Sequence, residues 1–137
     1  MSRKSGLAGL LLACTIGPAP VAAHDFTDDS KVTLLFQREL AGLPGKVGTM
    51  ITVAYPPGGR TDRHRHPGAH VFVYVLEGEI EMGVEGGEVV RLGPGQAFYE
   101  SPTDVHLVSR NASDSAPARF LVVFVQDSGQ PPLVAAP

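Results

Sequence analysis

The sequence GGRTDRHRHPGAHVFVYVLEG, residues 58–78, places three histidines directly before an apolar and strongly β-prone segment. They are His64, His66 and His70. In an extended chain, residues separated by an even number of positions point to the same face. The spacing therefore predicts that the three imidazoles share one face of a strand, which is the convergence that a metal ion needs.

Short apolar stretches with an alternating pattern recur along the chain and are separated by turn residues. The chain has 16 glycines and 12 prolines among 137 residues, a composition that favours many short strands in one domain. The predicted strands span residues 32–37, 47–54, 69–76, 79–84, 88–92, 96–100, 105–109 and 118–125. We therefore expect a single all-β domain, built as a sandwich or barrel.

The first 23 residues have the pattern of an export signal. Arg3 and Lys4 form a positive start, residues 6–13 are apolar, and residues 21–23 are small. The predicted location is the periplasm or the exterior of a bacterial cell. In an alternative interpretation, residues 11–14 form a lipobox and Cys14 carries a lipid anchor.

These boundaries predict a mature domain over residues 24–126, with its barrel over residues 47–125. Residues 127–137 lack any period, and we expect them to form a flexible tail. The only cysteine, Cys14, precedes the domain, so no disulfide supports it. No segment of the mature chain is predicted to span a membrane.

Charge and hydrophobicity indicate which partners the protein has. The net charge of −3 provides no basic surface for nucleic acid. Two predicted strands carry no charged residue over residues 71–76 and 120–125, although the outer face of an isolated sandwich should be polar. A homodimer that covers this face is the prediction. The alternative is that the N-terminal segment covers it.

Two motifs resemble those of the cupin superfamily, over about residues 47–125. The first requires Gly, five residues, His-x-His, three or four residues, Glu, six residues and Gly. Gly58, His64, His66 and Gly78 fit it, but three residues after His66 the glutamate position holds His70, and seven residues then precede Gly78. This resemblance implies a jelly-roll-like β-barrel.

The second cupin motif requires Gly, five residues, Pro-x-Gly, two residues, His, three residues and Asn. The distance from Gly95 to His106 matches, although Pro102 comes one residue late, Asp104 stands where glycine is expected, and Asn111 is also one residue late. The resemblance therefore supports His106 as a ligand more strongly than it supports the turn before it.

The complete pattern is similar to the four-histidine subset of small single-domain cupins, some of which hold manganese or iron. This resemblance implies one divalent transition metal bound by His64, His66, His70 and His106. Imidazole also suits copper, zinc and nickel, so the ligands alone do not select the metal. Four neutral imidazoles around a divalent ion leave a charge of about +2, which favours anionic small-molecule ligands or substrates. The alternative is that the histidines are structural.

Further residues are candidates for the pocket or for support of the ligands. Phe72 and Tyr74 share the phase of His70, and Met50 and Phe98 lie on adjoining predicted strands. Near the second motif, Tyr99 and Glu100 are the candidate acid–base or supporting groups. Each of these side chains also fits an ordinary core or surface position.

The sequence leaves three functions open. The first is a metal-dependent oxygenase or oxidase that acts on a small organic molecule, as in some four-histidine cupins. The second is a non-catalytic module that binds a small molecule or a metal. The third is a metal-dependent isomerase or lyase, in which the ion is only a Lewis acid. Fold resemblance cannot choose among them, because function lies in the site.

Overall fold

The computed structural model describes residues 26–137, so the predicted signal, its cleavage site and Cys14 lie outside the described residues. Residues 26–137 form eleven β-strands and no helix. The strands are β1 (Lys31–Glu39), β2 (Lys46–Tyr55), β3 (Arg60–Thr61), β4 (His64–Arg65), β5 (His70–Glu77), β6 (Ile80–Val84), β7 (Val90–Leu92), β8 (Ala97–Glu100), β9 (His106–Asn111), β10 (Ala118–Asp127) and β11 (Val134–Ala135).

The strands form two sheets of the jelly-roll type, and every pairing is antiparallel. One sheet has the order β1-β2-β10-β5-β8, and the other has the order β11-β4-β9-β6-β7 with β3 also paired to β9. The prediction of a single all-β domain is confirmed. The eight predicted strands are present with ends shifted by up to a few residues, and β3, β4 and β11 are additional two-residue strands.

The core lies between the two sheets and is built from alternate residues of strands such as β2, β5 and β10. In β5, Val71, Val73 and Val75 are buried, whereas the alternate residues His70 and Phe72 are exposed. The opposite sheet contributes buried side chains such as Ile80 and Met82. This alternation follows from the two-residue period of a strand, so these strands of the five-stranded sheet have one inner and one outer face.

The turn between β5 and β6 depends on Gly78. Its φ of +71° lies in the left-handed region, and a Cβ atom there would approach the Pro117 carbonyl oxygen to 2.5 Å. Only glycine tolerates both conditions. The closing glycine of the first motif therefore has a steric role.

The C-terminal segment does not match the prediction of a flexible tail over residues 127–137. Strand β10 extends to Asp127, and β11 pairs with β4. The Ala136 amide also donates to the Arg63 carbonyl at 3.1 Å. A two-residue strand is too short to produce a period in the sequence, and its stability depends on contacts with residues far away in the chain. Within residues 26–137, no helix is long and apolar enough to cross a membrane.

Candidate functional site

Three histidines from two distant parts of the chain converge between the sheets. His64 of β4 and His106 of β9 are direct partners in the ladder, and each is only 3% exposed. His66 follows β4 and its side chain is 10% exposed. One ring nitrogen from each of the three histidines lies within 4.8 Å of the others. Among the described residues 26–137, this is the one group of three potential ligands that lie this close together.

Backbone carbonyls orient two of the rings. Nδ1 of His64 lies 2.7 Å from the carbonyl oxygen of Asp62, and Nδ1 of His66 contacts the carbonyl oxygen of Pro132. A carbonyl can only accept, so each Nδ1 carries the proton and each Nε2 keeps its lone pair. Both rings are therefore held in the tautomer that a metal ligand requires.

His106 provides a test of whether the site suits a metal ion. Both of its ring nitrogens are buried, and neither has a hydrogen-bond partner among the described residues. Burying a polar atom without a hydrogen-bond partner costs free energy. A metal ion bound by the other two imidazoles would also bind a ring nitrogen of His106 and remove part of that cost. The donor set of three imidazoles suits a transition metal.

Burial keeps the rings neutral. Burial lowers the pKa of His64 to about 4, and the neighbouring His106 adds to the effect. Burial likewise lowers the pKa of His66. Only the neutral imidazole can bind a metal, so the site is ready for an ion at neutral pH.

A buried carboxylate lies beside the histidines. Glu100 is 3% exposed, and its Oε2 lies 3.1 Å from Nδ1 of His106 and 3.6 Å from Nε2 of His66. Burial by itself would raise the pKa of Glu100, but His106 and then His66 outweigh burial and hold the pKa below its usual value. The carboxylate is therefore ionised at neutral pH.

The histidines open into an apolar cavity of about 180 Å³. Side chains from the inner face of the five-stranded sheet form its walls, including Ile51, Val73, Val122 and Phe124. At the far end, the Tyr55 hydroxyl bonds the hydroxyls of Thr61 at 2.6 Å and Ser109 at 2.9 Å. The cavity therefore has apolar walls, with the histidines at one end and these hydroxyls at the other.

The structure does not bring His70 to the other three histidines. The Ala69 amide donates to the His66 carbonyl at 3.1 Å, which closes a tight turn through Pro67 and Gly68. Gly68 has a φ of +64°. The turn interrupts the two-residue period, so His70 begins β5 on the outer face, where its Nδ1 lies 2.7 Å from the Tyr99 hydroxyl. Of the four histidines predicted as ligands, the structure therefore brings three together and leaves His70 apart from them.

The same change of phase corrects the predicted pocket residues. Phe72 and Tyr74 do share the phase of His70, but that phase faces outward. Tyr99 pairs with Phe72 and is also exposed. Met50 alternates with the buried Ile51 and lies on the same outer face.

Two predicted residues do lie inside. Phe98 pairs with Val73, and its ring stacks on His106 with centroids 6.0 Å apart. Glu100 points into the cavity. Sequence reasoning missed the Pro132 carbonyl and the Tyr55 hydroxyl network, because no local pattern links residues so far apart in the chain.

Comparison with known proteins gives a family model, described as a cupin domain, that matches residues 51–124. The chain belongs to the cupin family. An Arabidopsis thaliana germin-like protein, subfamily 2 member 2, is 37% identical over 67 residues, which are 49% of this chain and 31% of that protein. The chain thus spans about a third of this curated relative.

Solved structures of other cupin folds are also similar. An oxalate oxidase is 26% identical with a TM-score of 0.59, over 80% of this chain and 56% of that chain. The DMSP lyase DddQ from Ruegeria pomeroyi is 24% identical with a TM-score of 0.63, over 83% of this chain and 55% of that chain. At this identity, the similarity to the lyase shows the fold alone.

The cupin motif fits the structure best when four residues separate His66 from the glutamate position. That count reaches Val71, and six further residues then reach Gly78. Val71 is 1% exposed and lines the cavity. This cupin therefore has valine at the inward position where the motif has glutamate.

Because His64 resists protonation in the folded state, we expect the metal-free protein to lose stability as the pH falls. The unfolded chain takes up a proton near pH 6.5, whereas folded His64 does so only at about 4. As the pH falls from 6.5 to about 4, protonation of His64 in the unfolded chain should lower the free energy of unfolding by up to about 3 kcal/mol. Above pH 6.5 the contribution of His64 to stability is constant. Urea unfolding in the presence of a chelator measures this decline.

A His64→Gln variant provides the matched comparison, because it lacks the titrating ring. It should lose less stability than the wild type over the same pH range. Equal slopes in the two proteins would contradict the assignment of the pH dependence to His64.

Proposed function

We propose that this cupin binds one divalent transition metal through His64, His66 and His106 and acts as an oxidoreductase on a small organic molecule. The observation that carries the proposal is the convergence of ring nitrogens from three histidines within 4.8 Å, at the wall of an apolar cavity. Backbone carbonyls already orient two of the rings, which favours the binding of an ion.

The proposed substrate is small and anionic. The cavity of about 180 Å³ lies below the roughly 300–1,000 Å³ of pockets for drug-sized ligands. When bound, the metal would supply a positive charge and, if manganese or iron, the ability to exchange electrons. Apolar walls exclude water, so attraction between the site and an anionic oxygen is stronger there than in solution.

The chain's own groups would bind and position this substrate. The apolar side chains of Val73 and Phe124 would contact its carbon atoms, while the Tyr55 hydroxyl at the far end can donate or accept one hydrogen bond. Glu100 is the one buried carboxylate beside the histidines within residues 26–137, and it places a negative charge next to the proposed ion. The similarity to an oxalate oxidase supports a small acidic substrate.

Metal content and turnover test this proposal. Protein expressed from its full-length gene in the native compartment should contain close to one equivalent of manganese or iron by mass spectrometry. His64→Ala and His106→Ala should abolish binding, because each removes a ligand from a set of only three imidazoles. His70→Ala is the matched control, since His70 lies on the outer face, and it should retain the metal.

Oxygen consumption is then measured with a panel of small carboxylic and hydroxy acids. Turnover that consumes dioxygen and disappears in His106→Ala is the expected result. Turnover without dioxygen would instead favour an isomerase or lyase, and binding without turnover would favour a binding module. A wild-type protein without metal would overturn the metal proposal.

We also propose that the protein is a homodimer that buries the outer face of the five-stranded sheet. An apolar row crosses this face in register and comprises Phe36, Met50, Val123, Phe72 and Tyr99. Phe36 and Phe72 are each 48% exposed. A continuous apolar row on a sheet face is typical of an interface, and a second copy presents the same surface.

Light scattering after size exclusion is expected to give twice the monomer mass for the wild type. Phe72→Glu should shift the protein toward the monomer, because it places a charge in the centre of the proposed contact. Leu107→Glu is the matched control: it also changes an exposed apolar residue, but on β9 in the other sheet. A monomeric wild type at all concentrations would contradict the dimer.

Export through the signal in residues 1–23 remains a further proposal, supported by the sequence alone. Mass spectrometry of the protein recovered from the periplasm should give an N-terminus at His24. A mature N-terminus at a lipidated Cys14 would establish the alternative anchored form, and an intact N-terminus in the cytoplasm would contradict export.

A further inference from the structure

The inner position of β5 beside the three histidines holds no ligand. Val71 is the first inward residue of that strand, and it is 1% exposed. Its direct partner on the neighbouring strand β8 is Glu100. Because directly paired residues of adjacent strands share a face, the carboxylate of Glu100 stands one strand away from the position that Val71 occupies.

The charge of Glu100 has no lysine or arginine partner. Within residues 26–137, the groups within ion-pair distance of its carboxylate are His66 and His106, and no lysine or arginine lies that close. The contact with His106 lacks the alignment of a hydrogen bond, since both nitrogens of that ring have no partner. A buried carboxylate without a permanently charged partner is costly, and a bound metal ion would complete the group.

Two separations are compatible with ligands of one ion. Oε2 of Glu100 lies 3.1 Å from Nδ1 of His106 and 3.6 Å from Nε2 of His66. Ligand atoms about 2.1 Å from a metal stand roughly 3.0 Å apart at octahedral angles and roughly 3.4 Å apart at tetrahedral angles. The carboxylate of Glu100 is therefore close enough to these two rings to share an ion with them.

We propose that Glu100 is the fourth ligand of the metal, supplied by β8 in place of the glutamate that the motif places on β5. This inference rests on the proposed metal site at His64, His66 and His106. One carboxylate and three neutral imidazoles around a divalent ion leave a net charge of about +1. The charge of the site is thus the same as that of a site with the motif glutamate, although the carboxylate comes from another strand.

The proposal predicts that Glu100→Gln stabilises the metal-free protein but weakens its binding of metal. Without metal, Glu100→Gln removes an uncompensated buried charge, so the variant should melt several degrees higher than the wild type. With metal, it removes a ligand, so the affinity for Co²⁺ should fall by about tenfold or more. If Glu100 instead formed an ion pair with a protonated histidine, Glu100→Gln would lower the melting temperature of the metal-free protein.

The experiment measures both states at pH 8, above the ordinary histidine pKa of about 6.5. Melting is recorded with a chelator, and Co²⁺ affinity is measured by competition with a fluorescent chelator. The visible absorption of bound Co²⁺ reports the ligand set and should change in Glu100→Gln. Glu88→Gln is the matched control, because Glu88 is exposed, and it should leave all three measurements unchanged.

A double variant, Val71→Glu with Glu100→Val, returns the carboxylate to the motif position across the strand pair. It should recover most of the Co²⁺ affinity that Glu100→Val alone loses. Unchanged affinity and spectrum in Glu100→Gln would overturn the assignment of Glu100 while leaving the three-histidine site intact. Failure of the wild type to bind Co²⁺, manganese or iron would overturn both proposals.

Discussion

The pairing of β4 with β9 is the constraint on which the site depends. His64 and His106 face each other across this ladder, although 41 residues separate them in the chain. β4 has only two residues, so its own hydrogen bonds are few. The strand is held by β9 on one side and by β11 on the other, which makes the C-terminal segment part of the support for the site.

The site concentrates polar groups where the rest of the core is apolar. Three imidazoles and one carboxylate occupy one wall of a cavity that valine, isoleucine and phenylalanine side chains otherwise line. In such surroundings an uncompensated charge is costly, and attraction to an ion or an anionic substrate is strong. The same burial that keeps His64 and His66 neutral also makes a cation favourable beside Glu100.

The two faces of the five-stranded sheet have different roles. Its inner face forms the cavity wall through residues such as Val71 and Val73, while its outer face carries Phe72 and Tyr99. A shift of one residue in β5 would exchange the two sets, because the side-chain period is two. The turn through Pro67 and Gly68 therefore determines both the composition of the cavity and the composition of the exposed surface.

Local patterns in the sequence determined the all-β class, eight of the strands, the cupin family and the three histidines that converge in the fold. Glycine and proline mark turns, and alternation marks strands, so these features need no knowledge of distant contacts. Only the tertiary structure excluded His70, because the phase of β5 depends on how the chain turns after His66. Only the tertiary structure also placed β11 beside β4 and Glu100 beside His106. These contacts join residues far apart in the chain, and strand register, which no local pattern encodes, decides which side chains meet.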